Sequence, residues 1–208
     1  RPEFSTLTWK VCVDTSAVLE RTWGSLTGLG WLGKNTLLIH PKWGSRFFIG
    51  VAFLNVKLGQ GIQKLPNYCG NCSRCLEGCP TQAFEQPHLL DSRRCISYWT
   101  LEKRGELELT PTQEKAIGTW VAGCDTCQDV CPFNTKPERL LGDPKVDRAL
   151  EDPYALTWEQ LENESDDGYT RRARGSALER VKPAMRKRNL GMAFKNSGRP
   201  VEDPDRRS

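Results

Sequence analysis

Seven of the nine cysteines fall in two bursts. The first runs Cys69, Cys72, Cys75 and Cys79, followed by Pro80; the second runs Cys124, Cys127 and Cys131, followed by Pro132. Thiolates separated by two residues, closed by a Cys-Pro after a gap of three, are the ligand pattern of two iron–sulfur clusters, in which the cysteine before proline serves the cluster built mainly by the other burst. Spacing therefore assigns Cys69, Cys72, Cys75 and Cys131 to one 4Fe-4S cluster. Cys79, Cys124 and Cys127 go to a second, and because two cubanes need eight thiolates, Cys95 between the bursts completes it. Cys12 is left over and reads as a buried structural thiol on a strand. Paired C-x2-C units can also hold zinc. Two C-x3-C-P endings and a third close cysteine, however, exceed what a zinc ribbon uses. A disulfide framework fits less well, since the count is odd and the thiols are crowded.

A second segment, Gly28-Leu29-Gly30-Trp31-Leu32-Gly33-Lys34, satisfies G-x-G-x-x-G and comes within one residue of a Walker A loop. It follows a helical pattern and leads into an apparent strand, the reverse of a dinucleotide fingerprint, and Asn35 stands where the magnesium-binding hydroxyl belongs. It reads as a tight loop whose backbone can approach another large ligand. Near the C-terminus, Arg171, Arg172, Arg174, Arg180, Lys182, Arg186, Lys187 and Arg188 lie close together, with Glu179 almost alone among them. Such a run either binds phosphates through counterion release or is a solvated helix face.

The elements that must position these groups divide the 208 residues into three regions of an α+β fold. Residues 1–66 show an α/β pattern: a strand at Val11–Val13, then Asp14, Thr15 and Ser16 as the N-cap of a helix through Val18, Leu19 and Trp23. Thr36–Ile39 and Phe47–Leu54 read as buried strands. Residues 67–137 form a ferredoxin-like two-cluster domain, with helices expected over 91–102 and 112–121. Residues 138–208 are helical and basic, with capping boxes at Thr157/Gln160 and Ser176/Glu179 and a kink or end at Pro183. Most of the seven tryptophans are expected in the core. A hydrophobic content of 38% is low for a globular chain, so cluster assembly should be coupled to folding of residues 69–131. The longest apolar stretch, Phe47–Val56, is about half of what a bilayer crossing needs. With no secretory signal, reduced thiols and clusters point to the cytoplasm. The chain opens on Arg1-Pro2 without methionine, which suggests a missing amino-terminal portion.

Val13-Asp14-Thr15, Leu19-Glu20-Arg21, the stretch Gly28 to Thr36, Cys95-Ile96-Ser97-Tyr98 and Gly123-Cys124-Asp125-Thr126-Cys127-Gln128 occur together and in order with the cluster ligands. This set closely resembles the epoxyqueuosine reductase family over roughly residues 10–200. The resemblance implies an oxidoreductase of queuosine biosynthesis, a tRNA-processing activity that uses cobalamin and two 4Fe-4S clusters to remove the epoxide oxygen of epoxyqueuosine in tRNA. Residues 1–66 would then belong to a cobalamin-binding portion whose amino-terminal part is absent. Asp14, a helix N-cap on the residues alone, matches the family's proton donor, with burial beside the corrin keeping it protonated. Arg21, Asn35, His40, Ser97 and Asp125 match positions near the cobalamin. The basic helices near Arg186 would meet tRNA, an external low-potential donor would supply electrons, and the chain would act as a monomer. Two other classes share parts of this set. A reductive dehalogenase also combines cobalamin with two clusters, and a ferredoxin-type electron carrier has clusters without a corrin.

Overall fold

The computed structural model describes residues 6–14, 16–58, 63–135 and 156–198. Helices and short strands are mixed along the chain, as the α+β reading requires. The chain divides into two units. One comprises Arg1–Gly78, Gln86–Leu90 and Thr126–Leu140; the other comprises Cys79–Glu85, Asp91–Asp125 and Leu141–Ser208. Residues 67–137 therefore contribute to both.

In the first unit, β1 (Trp9–Cys12) pairs antiparallel with β4 (Val51–Leu54), in a register running from Trp9 opposite Leu54 to Cys12 opposite Val51. Cys12 is the buried member of β1, at 1% exposure. The sequence overstated this ribbon's burial: only residues 51–54 of the expected 47–54 strand pair, most of β4 is exposed, and Phe48 is 95% exposed. Apolar content there marks β propensity, while a two-stranded ribbon leaves much of its surface to solvent.

The helix expected to be capped by Asp14–Ser16 starts later. Helix α1 is Glu20–Leu26, with Leu19 at the N-cap and no side-chain cap bond. Thr15 lies outside the described residues. Asp14 instead sits at φ 55, a left-handed conformation that breaks the chain between strand and helix. After α1 the chain turns at Gly28 (φ 77) into a hairpin of β2 (Trp31–Leu32) and β3 (Leu38–Ile39). Gly30 and Gly33 lie so close to the Ile39 carbonyl and side chain that a Cβ at either would collide. The glycines of the G-x-G-x-x-G stretch therefore serve hairpin packing.

The second unit is built on helices. The expected helix over 91–102 is two pieces, a 3-10 turn at Ser92–Arg94 and α3 (Ile96–Leu101), broken at Cys95, whose ψ of 125 is extended. The helix expected over 112–121 is α4 (Pro111–Ile117), started by a Thr110/Gln113 capping box and ended at Gly118 with φ 58. Ile96, Trp99 and Ile117 form one core, and Leu107, Leu109, Trp120, Cys124 and Met192 pack on it. Tyr169, Ala173, Val181 and Met185 form another. Tryptophans are less buried than expected: Trp31 and Trp99 are core, but Trp9 and Trp23 are exposed.

The Thr157/Gln160 capping box is formed and opens α6 (Trp158–Asn163). Ser176 and Glu179 do not form one. Ser176 caps a 3-10 turn (Ala177–Arg180) by accepting from Leu178 N–H, and Glu179 accepts from Gly175 N–H. Pro183 begins a helix, α8 (Pro183–Ser197), where its missing N–H costs nothing.

The basic run is in part a buried network. Glu164 takes a two-pronged bond from Arg172, at 2.7 Å on each oxygen, and an ion pair from Arg186 at 2.9 Å. Arg186 is 3% exposed and also donates to the Leu161 and Glu164 carbonyls. Its expected role as a surface contact is corrected accordingly. Both guanidinium groups lie near the ring of Tyr169, in α7 (Asp166–Ala173). Arg188 is tied to the Trp99, Lys103 and Gly105 carbonyls. Arg171, Arg174 and Lys182 are exposed, as are Arg180 and Lys187, which pair with Glu102 and Asp166.

The Arg172 hydrogen bonds, with the charges of Arg172 and Arg186, hold the Glu164 carboxyl below the usual carboxylate range. A depressed folded value means that the stabilisation is present above the ordinary carboxylate pKa and fades as pH falls through the lower folded value. Glu164→Gln leaves Arg186 buried and poorly paired, and is expected to cost roughly 3–5 kcal/mol at neutral pH. It should also flatten the acid side of the stability profile. Denaturant melts over a pH series check both effects.

Candidate iron–sulfur site

The first burst is shaped by local turns. Asn67 Oδ1 accepts from the Cys69 N–H at 2.9 Å, and the Cys69 carbonyl accepts from Cys72 N–H at 2.9 Å across Gly70, which sits at φ 48. Cys75 follows in α2 (Arg74–Glu77), which ends at Gly78 and packs against α5 (Thr126–Asp129). Cys131 sits at the N-cap of a 3-10 turn (Pro132–Asn134), so the proline after the last cysteine starts the turn that aims the thiol. Cys69, Cys72, Cys75 and Cys131 all line one cavity of ≈ 250 Å³. The sequence set for the first cluster is therefore brought together.

Electrostatics around this cavity suit a cluster. Burial pushes the Cys75 thiol up from its ordinary value, and the charges of Cys69, Cys131 and Cys72 add to it. Burial also raises Cys131; backbone N–H groups of Phe133 and Asn134 oppose the rise, while Cys69 and Cys72 reinforce it. Sulfurs that repel one another around a largely apolar cavity are relieved by a cationic centre that holds them as thiolates. Among the described residues, no three His, Cys, Asp or Glu side chains gather closely enough for a single metal ion. A cubane takes one thiolate at each of its four irons.

The β2–β3 hairpin clasps the ligand loops. Trp31 Nε1–H donates to Cys69 Sγ at 3.4 Å, and Lys34 Nζ donates to the Gly70 and Cys72 carbonyls at 2.8 and 2.9 Å. Asn35, 3% exposed, donates from Nδ2 to the Cys127 carbonyl at 3.3 Å and accepts from Leu37 N–H. Asn134 Oδ1 accepts from Ser45 N–H at 2.8 Å, while its Nδ2 donates to the Gln128 carbonyl at 2.8 Å. His88 caps the loop by donating its N–H to the Lys34 carbonyl and placing Nδ1 2.9 Å from the Gly33 carbonyl. Trp31, Lys34 and Asn134 went unread as supporting residues in the sequence. The glycine loop was the signal for Trp31 and Lys34, which lie within it.

Of the second set, Cys79, Cys95 and Cys124 belong to the second unit and Cys127 to the first. Cys79 Sγ accepts from Ala83 N–H at 3.3 Å and lies 3.6 Å from Thr81 Oγ1. Cys95 is the N-cap residue of α3, and Cys124 packs on the Ile96–Trp99–Ile117 core.

The remaining sequence-selected residues are placed as follows. Asp14 is exposed on the loop after β1. Arg21 is exposed and donates to the Thr36 carbonyl at 2.8 Å. His40 Nδ1 accepts from the Lys42 and Trp43 N–H groups, and the ring stacks on Trp43 at 3.7 Å. Ser97 is half-buried in the first turn of α3, and Asp125 is exposed beside Cys124.

Comparison with known proteins agrees with this site. Residues 68–134 match the family described as a 4Fe-4S double cluster binding domain. The chain is 39% identical over 187 residues to an epoxyqueuosine reductase of Synechococcus sp. (strain CC9605), covering 89% of this chain and 57% of that protein. An epoxyqueuosine reductase solved with an epoxyqueuosine-modified tRNA-Tyr stem loop superimposes with a TM-score of 0.77 at 28% identity, over 91% of this chain and 49% of that one. A Bacillus subtilis epoxyqueuosine reductase, solved with its catalytic aspartate loop swung out of the active site, gives 0.76 at 26% identity, over 93% and 50%. The chain spans about half the length of these proteins. No helix among the described residues is long and apolar enough to cross a membrane. Along some nine-tenths of its length, the chain is similar to epoxyqueuosine reductases, and its residues 68–134 match a 4Fe-4S double cluster binding domain.

Proposed function

We propose that this chain is the cluster-bearing part of an epoxyqueuosine reductase that converts epoxyqueuosine to queuosine in tRNA. The observation that carries this reading is the convergence of Cys69, Cys72, Cys75 and Cys131 on one cavity inside a chain similar to such enzymes along most of its length. Cys79, Cys95, Cys124 and Cys127 bind a second cluster, assigned on spacing. The cobalamin-binding portion at residues 1–66, the ferredoxin-like domain at 67–137 and the basic helical segment at 138–208 keep their proposed roles.

Removing the epoxide oxygen takes two electrons and two protons and releases water. An external low-potential donor supplies the electrons, and the clusters pass them on singly. Cobalamin, when bound, supplies the strongly reducing nucleophilic centre at which the epoxide is opened. Asp14 donates a proton to the oxygen as it leaves. Exposed Arg21 and Asp125 and half-buried Ser97 offer donors and acceptors suited to the corrin's amide rim. His40, whose Nδ1 accepts from the Lys42 and Trp43 N–H groups, belongs to the same proposed set. Asn35 is buried with its amide on the Cys127 carbonyl, so its role is to hold that ligand loop in place. Arg171, Arg174, Arg180, Lys182 and Lys187 are exposed cations of the basic run that could meet tRNA phosphates. The protein works as a cytoplasmic monomer.

Anaerobic reconstitution of the full-length protein with iron, sulfide and cobalamin tests the proposal. The expected result is bound corrin together with conversion of epoxyqueuosine to queuosine in tRNA. Clusters without corrin would make it an electron carrier, and corrin with turnover of halogenated organics but not tRNA would make it a dehalogenase. Either outcome would sink the reading.

A further inference from the structure

The β2–β3 hairpin brings two side chains to the Cys69–Cys75 turn. We propose that Trp31 and Lys34 set the reduction potential of the cluster held by Cys69, Cys72, Cys75 and Cys131, keeping it above the value these thiolates would give alone. The proposal rests on the reading that these four thiols hold a 4Fe-4S cluster.

Trp31 is 2% exposed, and its indole N–H donates to Cys69 Sγ at 3.4 Å. A donor on a ligand sulfur withdraws electron density and favours the reduced, more negative cluster. The indole is held there by edge contacts with Tyr68 and Phe133, at centroid distances of 5.0 and 4.8 Å. Lys34 lines the same cavity, with its ammonium fixed on two carbonyls of the ligand turn. Those carbonyls orient the charge without neutralising it. Reduction adds a negative charge to the cluster, and a half-buried cation beside apolar Ile39 and Phe133 stabilises that charge more than it would in water. Arg74 also lines the cavity but is exposed, so solvent screens it.

Potentials are read by redox titration followed by electron paramagnetic resonance on the reconstituted full-length protein. Lys34→Met and Trp31→Phe are each expected to move one cluster to a more negative potential and leave the other in place, and Lys34→Arg to restore most of the shift. Iron and sulfide content, measured first, shows whether the thiols hold a cluster at all, and so separates failure of that reading from failure of this one. Unshifted potentials at full cluster content would overturn the proposal. Should a variant lose its cluster, the native protein decides. With isotopically labelled tryptophan, pulsed resonance on the reduced clusters is expected to show coupling to an indole nitrogen, and its absence overturns the role of Trp31.

Discussion

Cys131→Ser is expected to take the reconstituted protein from about eight iron atoms per chain to about four, with loss of turnover. Cys131 is nearly buried and packs with Trp31, Ile39, Cys69 and Phe133, so its thiol is aimed inward by the packing as well as by the proline turn. A serine hydroxyl is a far weaker ligand than a thiolate for iron, which favours soft sulfur donors. The change also cuts the tie between the Cys69–Cys75 turn and the chain after α5. Because cluster binding contributes folding free energy, the thermal midpoint should fall together with the iron content. Cys12→Ser is the control: Cys12 is more deeply buried than Cys131 but lies in β1, and its replacement should leave iron content unchanged. Chemical iron and sulfide assays read both variants, and full iron in Cys131→Ser would remove that residue from the ligand set.

Local signals were the legible part of the fold. Ligand spacing placed Cys131 with Cys69, Cys72 and Cys75 across a long stretch of chain, because cluster chemistry imposes a pattern that few other functions produce. The Thr157/Gln160 box was readable because both of its hydrogen bonds close within four residues. Ser176/Glu179 has the same spelling, yet Glu179 turns to Gly175, since the tight 3-10 turn carries it away from the Ser176 N–H. The basic run defeated sequence reading for a different reason. Charge alone does not say which arginine faces a carboxylate, and Glu164, far from Arg186 in sequence, draws it into the interior. The apolar run at 47–54 misled in the opposite direction, because burial depends on what packs over a ribbon.

Asp14→Asn is expected to slow conversion of epoxyqueuosine in tRNA by roughly 10²–10⁴-fold, the usual contribution of a positioned general acid, with cluster and corrin content unchanged. The position itself makes the substitution clean. Asp14 lies at φ 55, a conformation that asparagine tolerates about as well as aspartate, so the change removes the acidic proton without disturbing the turn between β1 and α1. Asp14→Ala would remove the proton and also strain the backbone, by about 1–2 kcal/mol. The two variants therefore separate chemistry from folding: equal loss of rate with stability lowered only in the alanine protein identifies the carboxyl as the acting group. Asp14 is exposed, so desolvation of its carboxyl must come from whatever binds over it. Single-turnover conversion under saturating reductant isolates this step from electron delivery. An asparagine variant within a few-fold of the native rate would assign the proton to another group and return Asp14 to its turn-forming role.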